Sequence, residues 1–213
     1  MLEVTLLAVT LGAPAAPTPV PVPPRPAEVA RGLRWLGGQQ DRRGCWEGPA
    51  GNTTATTAAA GLALLMEGST LNEGRYADHL RRAVAWFEGV AQPNGALVPE
   101  GDAGVPFGPL GSHAAGLLFL ASAHDTDDDE LRRKRLGKVL AAAVEYLVAN
   151  QTAGGAWETV PGEGADSTQL TAEVLRALAA ARAAGIGVPA VVFRKASAYC
   201  VAATAADGGV ALS

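Results

Sequence analysis

The sequence predicts an all-α protein, and three observations carry that prediction. Hydrophobic residues make up 48% of the 213 residues, whereas aromatic residues make up only 5%. Long stretches are rich in Ala and Leu, which favour helices, and few runs of β-branched residues interrupt them. No segment of useful length shows the two-residue period of a strand. A chain of this length is sufficient for one domain with a substantial core.

The charge pattern argues against nucleic acid as a partner. The net charge is −4, the calculated pI is about 5.4, and no basic face is apparent. The basic cluster at 132–135 directly follows the acidic run DTDDDE at 125–130. Acidic residues followed by basic ones are typical of the start of a helix. We therefore predict a loop and a helix cap there, with solvated and ionised carboxylates.

Residues 1–26 fall outside the predicted domain. Residues 4–13 form an apolar stretch of the length found in signal peptides, too short to span a membrane, but Glu3 stands where a signal peptide carries a basic residue. An exported protein and a cytoplasmic protein with an unstructured leader stay equally open. Residues 13–26, APAAPTPVPVPPRP, form a Pro-rich linker. The predicted domain covers 27–213.

A repeated pattern organises this domain. In GLRWLGGQQDRRGCWEG, residues 32–48, an aromatic and an apolar residue are followed at fixed spacing by Gln, Gly and Trp. Weaker or partial copies return with their aromatic positions roughly 50–60 residues apart, a unit that holds two helices and two loops. The positions that carry the pattern are Trp35, Gln40, Gly44, Trp46, Trp86, Gly95, Tyr146, Gln151, Gly155, Trp157, Tyr199 and Gly208.

Each copy ends one helix and leads through a Gly-rich loop into another. The helices before the loops carry charge, as in RYADHLRRAVAWFEG, and we expect them to form an outer layer. The helices after the loops follow Ser, Thr or Asp, which are good N-caps, and continue as AAAGLALLMEG, HAAGLLFLASA and QLTAEVLRALAAARAAG. Because these three are rich in small and apolar residues, we expect them to form an inner layer. The sequence therefore predicts about seven helices that alternate between two layers.

The pattern resembles the QW motif of the squalene cyclase and prenyltransferase repeat superfamily, which includes bacterial proteins with prenyltransferase/squalene oxidase repeats. Arg31 through Trp46 matches every element of that motif, and Ala142 through Trp157 matches it from the aromatic residue onward. The resemblance covers residues 27–213 and implies an α/α toroid, in which an outer ring of helices encloses an inner ring. It also implies that the motif's Gln and Trp tie an outer helix to the start of the next inner helix.

The chain departs from this family in its number of repeats. It holds about three and a half helix pairs, fewer than a closed toroid needs, and the fourth copy of the motif stops soon after Gly208. The sequence therefore predicts an incomplete toroid, an open crescent that is truncated at its C-terminus. Because uncapped repeat ends expose apolar faces, self-association is an expected property.

The catalytic groups that the resemblance implies are not in the expected places. Squalene cyclases protonate an alkene with a DxDD acid at the start of an inner helix, whereas the DTDD at 125–128 follows an inner helix. Protein prenyltransferases hold zinc with an Asp-x-Cys pair, which this chain lacks. Most of its eleven aromatic residues fill repeat positions, so few are left to stabilise a carbocation. We expect no cofactor, no metal site and two free thiols, Cys45 and Cys200.

The remaining candidate site is the concave face, where the inner helices begin around an apolar floor. Its hydrogen-bonding candidates are Thr53, Thr57, His113, Asp166, Thr168 and Gln169. The same residue types also serve as helix caps, and both roles stay open. The first hypothesis is a non-catalytic binding or assembly domain for an apolar small molecule or a polypeptide. The alternative is an isoprenoid-processing enzyme, of terpene cyclase or prenyltransferase type, whose catalytic repeats are missing from this chain.

Overall fold

The computed structural model describes residues 26–99, 101–102, 108–160, 162 and 165–210, and residues 1–25 of the predicted leader and linker lie outside them. In these ranges the chain forms seven α-helices, and its β-structure is limited to two isolated bridges, which confirms the all-α prediction. The helices are α1 (Ala27–Gly38), α2 (Thr53–Met66), α3 (Ala77–Val90), α4 (Gly108–Asp125), α5 (Glu130–Ala149), α6 (Thr168–Ala183) and α7 (Ala190–Ala202).

The even-numbered helices form a central row. Helix α4 packs against both α2 and α6, and these are the most extensive helix contacts in the chain. The odd-numbered helices pack onto this row: α1 on α2, α3 on α2 and α4, α5 on α4 and α6, and α7 on α6. This order agrees with the alternation predicted from charge, because the helices richest in small and apolar residues occupy the centre.

Small residues in the central row make room for aromatic rings. A Cβ added to Gly61 of α2 would lie 2.3 Å from Cε2 of Phe119, and one added to Gly116 of α4 would lie 2.7 Å from Cε1 of Phe87. Both rings are fully buried, and their centroids are 5.8 Å apart. The two glycines thus let one aromatic pair fill the space between α2, α3 and α4 at the density of a protein interior.

The helix caps differ in part from the sequence prediction. Ser167 caps α6 as expected, because its Oγ accepts a hydrogen bond from Leu170 N at 3.3 Å. Helix α2 is not capped by its own threonines. Its Thr54 N–H donates instead to Oδ2 of the buried Asp102, at 2.8 Å, which comes from the loop after α3. A carboxylate at a helix N-terminus satisfies backbone donors and complements the helix dipole. No local pattern near α2 indicates this cap.

The loop after each odd-numbered helix has the same turn in all four copies. In the first, Asp41 N donates to Cys45 O at 2.9 Å and Gly44 N donates to Asp41 O at 3.2 Å. The same two bonds recur over 92–96, 152–156 and 205–209. The glycine has a φ between 85° and 95° each time, in the left-handed region that favours this residue type. The turn explains why the sequence repeats Gly at 44, 95, 155 and 208.

The first three of these glycines also touch the next odd-numbered helix. A Cβ on Gly95 would lie 2.2 Å from the carbonyl oxygen of Ala142 in α5. The corresponding distances are 2.4 Å from Gly44 to Arg82 O and 2.5 Å from Gly155 to Lys195 O. Each of these three loops therefore packs against the backbone of the next odd-numbered helix. We call these three contacts the first, second and third joints.

Replacing Gly95 with Ala should destabilise the protein strongly, since the new Cβ meets a backbone carbonyl and the residue keeps a positive φ. We expect a loss of at least about 2 kcal/mol in the free energy of unfolding, measured by urea titration. Gly89→Ala is the matched control. Gly89 lies inside α3 with open space around it, so Ala there should be neutral or stabilise by up to about 1 kcal/mol. Equal effects at the two positions would contradict the joint geometry.

Candidate functional site

The Gln of the motif ties each loop that has it to the next odd-numbered helix. Gln40 Nε2 donates to Gly44 O at 2.8 Å and to His79 O of α3 at 2.9 Å. Gln151 Nε2 makes the same two bonds in the third joint, to Gly155 O at 2.9 Å and to Val192 O of α7 at 3.0 Å. The second joint has Ala91 at this position and lacks the tie. The Nε2 groups of Gln40 and Gln151 are therefore fully used in hydrogen bonds within the fold.

The Trp of the motif is buried under its own loop. The indole Nε1–H of Trp46 donates to Leu36 O at 2.7 Å, and that of Trp157 donates to Leu147 O at 2.8 Å. The two side chains are 2% and 0% exposed. An indole that fills a cavity and satisfies a carbonyl at a helix end has an architectural role. Both rings are thus used mainly in packing within the fold.

The central helices complete the joints by accepting one backbone N–H from each loop. Thr57 Oγ1 accepts from Trp46 N at 3.0 Å, and Thr171 Oγ1 accepts from Trp157 N at 3.2 Å. In the second joint, His113 Nδ1 takes the place of the hydroxyl and accepts from Leu97 N at 3.0 Å. A histidine thus stands where the other two joints have threonine.

His113 is a buried neutral imidazole. Its side chain has no exposed surface, its Nε2 donates to Ala143 O at 3.0 Å, and its ring centroid lies 4.8 Å from that of Tyr146. Burial lowers its pKa to about 4, because the charged form would lose its hydration. Thr57 is buried as well. The structure therefore places these two candidate residues inside joints, with their polar atoms already bonded.

The other four candidates do not form one cluster. Thr53 begins α2, whereas Asp166, Thr168 and Gln169 lie at the start of α6, and α4 separates the two helices. Thr168 Oγ1 lies 3.0 Å from the Tyr199 hydroxyl, which also donates to Asp166 O at 3.3 Å. Gln169 is exposed, and Thr53 is half-buried. A role for these residues in binding stays a prediction.

The acidic run 125–130 lies in the turn between α4 and α5, where the sequence predicts it. Asp129 caps α5, accepting from Arg132 N at 2.9 Å. Asp127, expected to be solvated, is only 3% exposed and pairs with Arg132, whose Nε lies 2.7 Å from its Oδ2. Burial raises the pKa of Asp127, but the hydrogen bonds and charge of Arg132 outweigh it and hold the pKa below its ordinary value. Asp127 is therefore an ionised structural anchor.

An apolar cleft lies on the open side of the central row. It is lined by Leu62, Leu65 and Met66 at the end of α2, by Ser122 and Thr126 at the end of α4, and by the intervening Gly68, Ser69 and Thr70. The Met66 side chain is 85% exposed. Helix α4 continues this surface with a half-buried line of small and apolar residues, Gly111, Ala115 and Leu118. In the sequence the apolar residues of this cleft look like ordinary core positions of a helix, so no pattern there predicts the cleft.

Both cysteines are free, in agreement with the sequence prediction. Burial, reinforced by the nearby carboxylate of Asp41, raises the pKa of the Cys45 thiol to about 11, so it is unreactive at neutral pH. Among the described residues, no group of three or more His, Cys, Asp or Glu side chains is arranged to hold a metal ion. No helix in the same ranges is both long and apolar enough to cross a membrane.

Comparison with known proteins adds no relative to these observations: no protein-family model matches the chain, and no curated protein matches it.

His113 should make stability depend on pH between 7 and 5. Its pKa is about 4 in the folded protein and about 6.5 in an unfolded chain, so the unfolded state binds more protons in this range. Its contribution is complete above pH 6.5 and is lost as the pH falls toward 4. We expect urea titrations to show a loss of about 2 kcal/mol from pH 7 to pH 5.

The control for this pH dependence is His113→Gln, which keeps a hydrogen-bonding side chain without a titratable ring. This variant should be less stable at pH 7 but should lose clearly less than the native protein on acidification. A native-like pH dependence in the variant would show that other groups cause it.

Trp157→Phe should cost about 1–3 kcal/mol of unfolding free energy, because it removes the indole hydrogen bond to Leu147 O and leaves unfilled space in the core. Trp35→Phe provides the comparison at the same motif on a ring that is 65% exposed, and its effect should stay within about 0.5 kcal/mol. Thermal or urea unfolding of both variants measures the difference. A larger loss for Trp35→Phe would refute the structural assignment.

Proposed function

We propose that this chain is a non-catalytic helical-repeat domain of the QW-motif type and that it binds an apolar small molecule in the apolar cleft. Support for the repeat type comes from the joints, because Gly makes the same contact in all three, and Gln and Trp make equivalent contacts in the first and the third. Support for binding comes from a single observation, the exposed Met66 beside Leu62 and Leu65 at the open side of the central row. We infer the open-crescent shape from the same repeats.

The physical chemistry of the cleft suits an apolar ligand. Its volume is about 370 Å³, at the lower end of the range for small-molecule sites. Methionine is flexible and polarisable, so its side chain adapts to apolar ligands of different shape. Burying a fully exposed apolar side chain gains about 1.5–3 kcal/mol. The hydroxyls of Ser69, Thr70 and Ser122 at the margin provide a few polar contacts to orient the ligand.

The positions of the titratable groups support a non-catalytic role. The cleft is lined by apolar and hydroxyl side chains, without a carboxylate, imidazole or thiol. Asp127 is paired with Arg132, and both ring nitrogens of His113 are hydrogen-bonded within the second joint. A catalytic acid needs a proton that it can deliver to a substrate. Neither group has one available toward the cleft.

We also propose that the chain associates with further copies of itself. The first and last helices of the described chain expose large apolar side chains: Trp35 of α1 is 65% exposed and Val201 of α7 is 74% exposed. Such residues at the ends of a repeat array favour self-association.

Binding can be tested with N-phenylnaphthylamine, an uncharged probe whose fluorescence rises in apolar surroundings. We expect saturable binding by the native protein. Met66→Glu should weaken it by at least about tenfold, because a carboxylate replaces apolar contact surface in the cleft. The matched control is Leu131→Glu, the same type of change at a 74% exposed position in the first turn of α5, and it should change affinity less than about twofold.

Two results would contradict the proposal. The first is an absence of saturable probe binding, or an equal loss in the two variants. The second is turnover of squalene or a prenyl diphosphate by the purified protein, which would support the alternative of an isoprenoid-processing enzyme.

A further inference from the structure

A second cleft, which shares no lining residue with the apolar one, lies between the end of α1 and the start of α3. It is lined by Arg34, Gly37, Gly38, Arg75, Tyr76 and His79 and has a volume of about 370 Å³. Two guanidinium groups thus border one cavity in a protein whose net charge is negative. We call it the arginine cleft.

Neither arginine of this cleft has a carboxylate partner. Five other arginines in the described residues, Arg43, Arg81, Arg132, Arg135 and Arg176, form ion pairs with Asp or Glu. Arg34 and Arg75 are among the arginines that form none within the described ranges, and the Arg75 guanidinium lies 5.8 Å from the centroid of the Tyr76 ring. Arginine is well suited to bidentate binding of carboxylate and phosphate groups.

The repeat supplies an internal comparison for this cleft. The register set by Gly44 and Gly95 aligns Gly37 with Glu88. The carbonyl groups that these two glycines approach belong to Arg82 and Ala142, and this second register aligns Arg75, just before α3, with Arg135 of α5. In the second joint this pair is an ion pair, with Glu88 Oε1 3.6 Å from Arg135 Nε. In the first joint the arginine is kept, but glycine takes the place of the glutamate. Arg75 therefore lacks the carboxylate that Arg135 has, and the space that the glutamate side chain would take is open.

The third joint shows an alternative solution at the same two positions. It has Val148 and Val188, which both pack against the hydrophobic core. Two apolar residues can pack against each other's surroundings, and two opposite charges can neutralise each other. Glycine and arginine can do neither, because the arginine is left as a cation beside an open cavity.

The base of the arginine cleft is formed by rings. A Cβ on Gly37 would lie 3.3 Å from Cε1 of Tyr76 and 3.4 Å from Nε2 of His79. His79 Nδ1 is 2.7 Å from Gln40 Oε1, which fixes the ring within the first joint. Burial, and then the charge of Arg82, lowers the pKa of His79. The positive charge of the cleft at neutral pH therefore comes from the arginines.

We propose that the arginine cleft binds a small oxyanion, a carboxylate or phosphate group of a ligand, which contacts Arg34 and Arg75 in the place that Glu88 fills beside Arg135. The site is separate from the apolar cleft, and the proposal does not depend on the function assigned there. The oxyanion of the ligand thus has the role at Arg75 that the Glu88 carboxylate has at Arg135 in the second joint.

The test is an NMR titration of the ¹⁵N-labelled full chain that follows the arginine Nε–H signals. Sodium phosphate and sodium acetate are added separately, with sodium chloride at equal ionic strength as the reference. We expect the signals of Arg34 and Arg75 to shift saturably with at least one of the two oxyanions and not with chloride. The tighter of the two identifies the ligand group as phosphate or carboxylate.

Gly37→Glu supplies the internal carboxylate of the second joint and should weaken oxyanion binding by at least tenfold. Gly32→Glu is the matched control, since it makes the same change in the same helix at a position with open space around it, and it should stay within twofold of the native protein. Arg75→Gln should also weaken binding at least tenfold and replaces Gly37→Glu if that variant does not fold, as judged from its amide spectrum. Shifts that chloride reproduces, or native affinity in the folded variants, would overturn the proposal.

Discussion

In each of the three joints, a carbonyl oxygen of the next odd-numbered helix lies within 2.5 Å of the place where the loop glycine would carry a Cβ, and the rest of the structure depends on this approach. In the second joint the separation would be 2.2 Å, shorter than any real contact of a Cβ atom. Because the loop can come so close, its neighbouring backbone groups reach the central helix, where Thr57, His113 and Thr171 accept an N–H in turn. The side-chain ties of Gln40 and Gln151 are effective for the same reason, since each spans only the short distance left between loop and helix.

Around this constant backbone, the side chains of the three joints differ. A histidine replaces threonine in the second joint, and the Gln tie is absent there, so this joint depends more on a buried imidazole that is neutral at physiological pH. The first joint has Gly37 where the second has Glu88, and so retains an unpaired charge. The joints therefore differ chemically at the few positions where equivalent residues differ.

Much of the fold could be predicted from the sequence. Composition indicates the all-helical class, and the charge difference between alternate helices predicts which of them are central. The spacing of Gly, Gln and Trp predicts the loops. The cap of α2 was not predictable, because Asp102 lies 48 residues from Thr54 in the chain and no local rule connects them. The burial of Thr57 and His113 was also missed, since a polar residue near a helix start is equally typical of a cap and of a buried acceptor. Neither cleft could be recognised, because each depends on which side chains the packing leaves uncovered.

Each joint connects the loop after one odd-numbered helix only to the next odd-numbered helix, so the cooperativity of folding depends on contacts between neighbours. Gly44 contacts α3, Gly95 contacts α5 and Gly155 contacts α7, so no joint spans the whole domain. The helix contacts are therefore mostly between neighbours, as in a repeat protein. The two halves of the fold are connected through α4, which packs against both α2 and α6. A disturbance at either end is confined to the adjacent pair, whereas one at the second joint divides the row into two parts, each too small for an independent core. The buried imidazole of His113 stands at that dividing point.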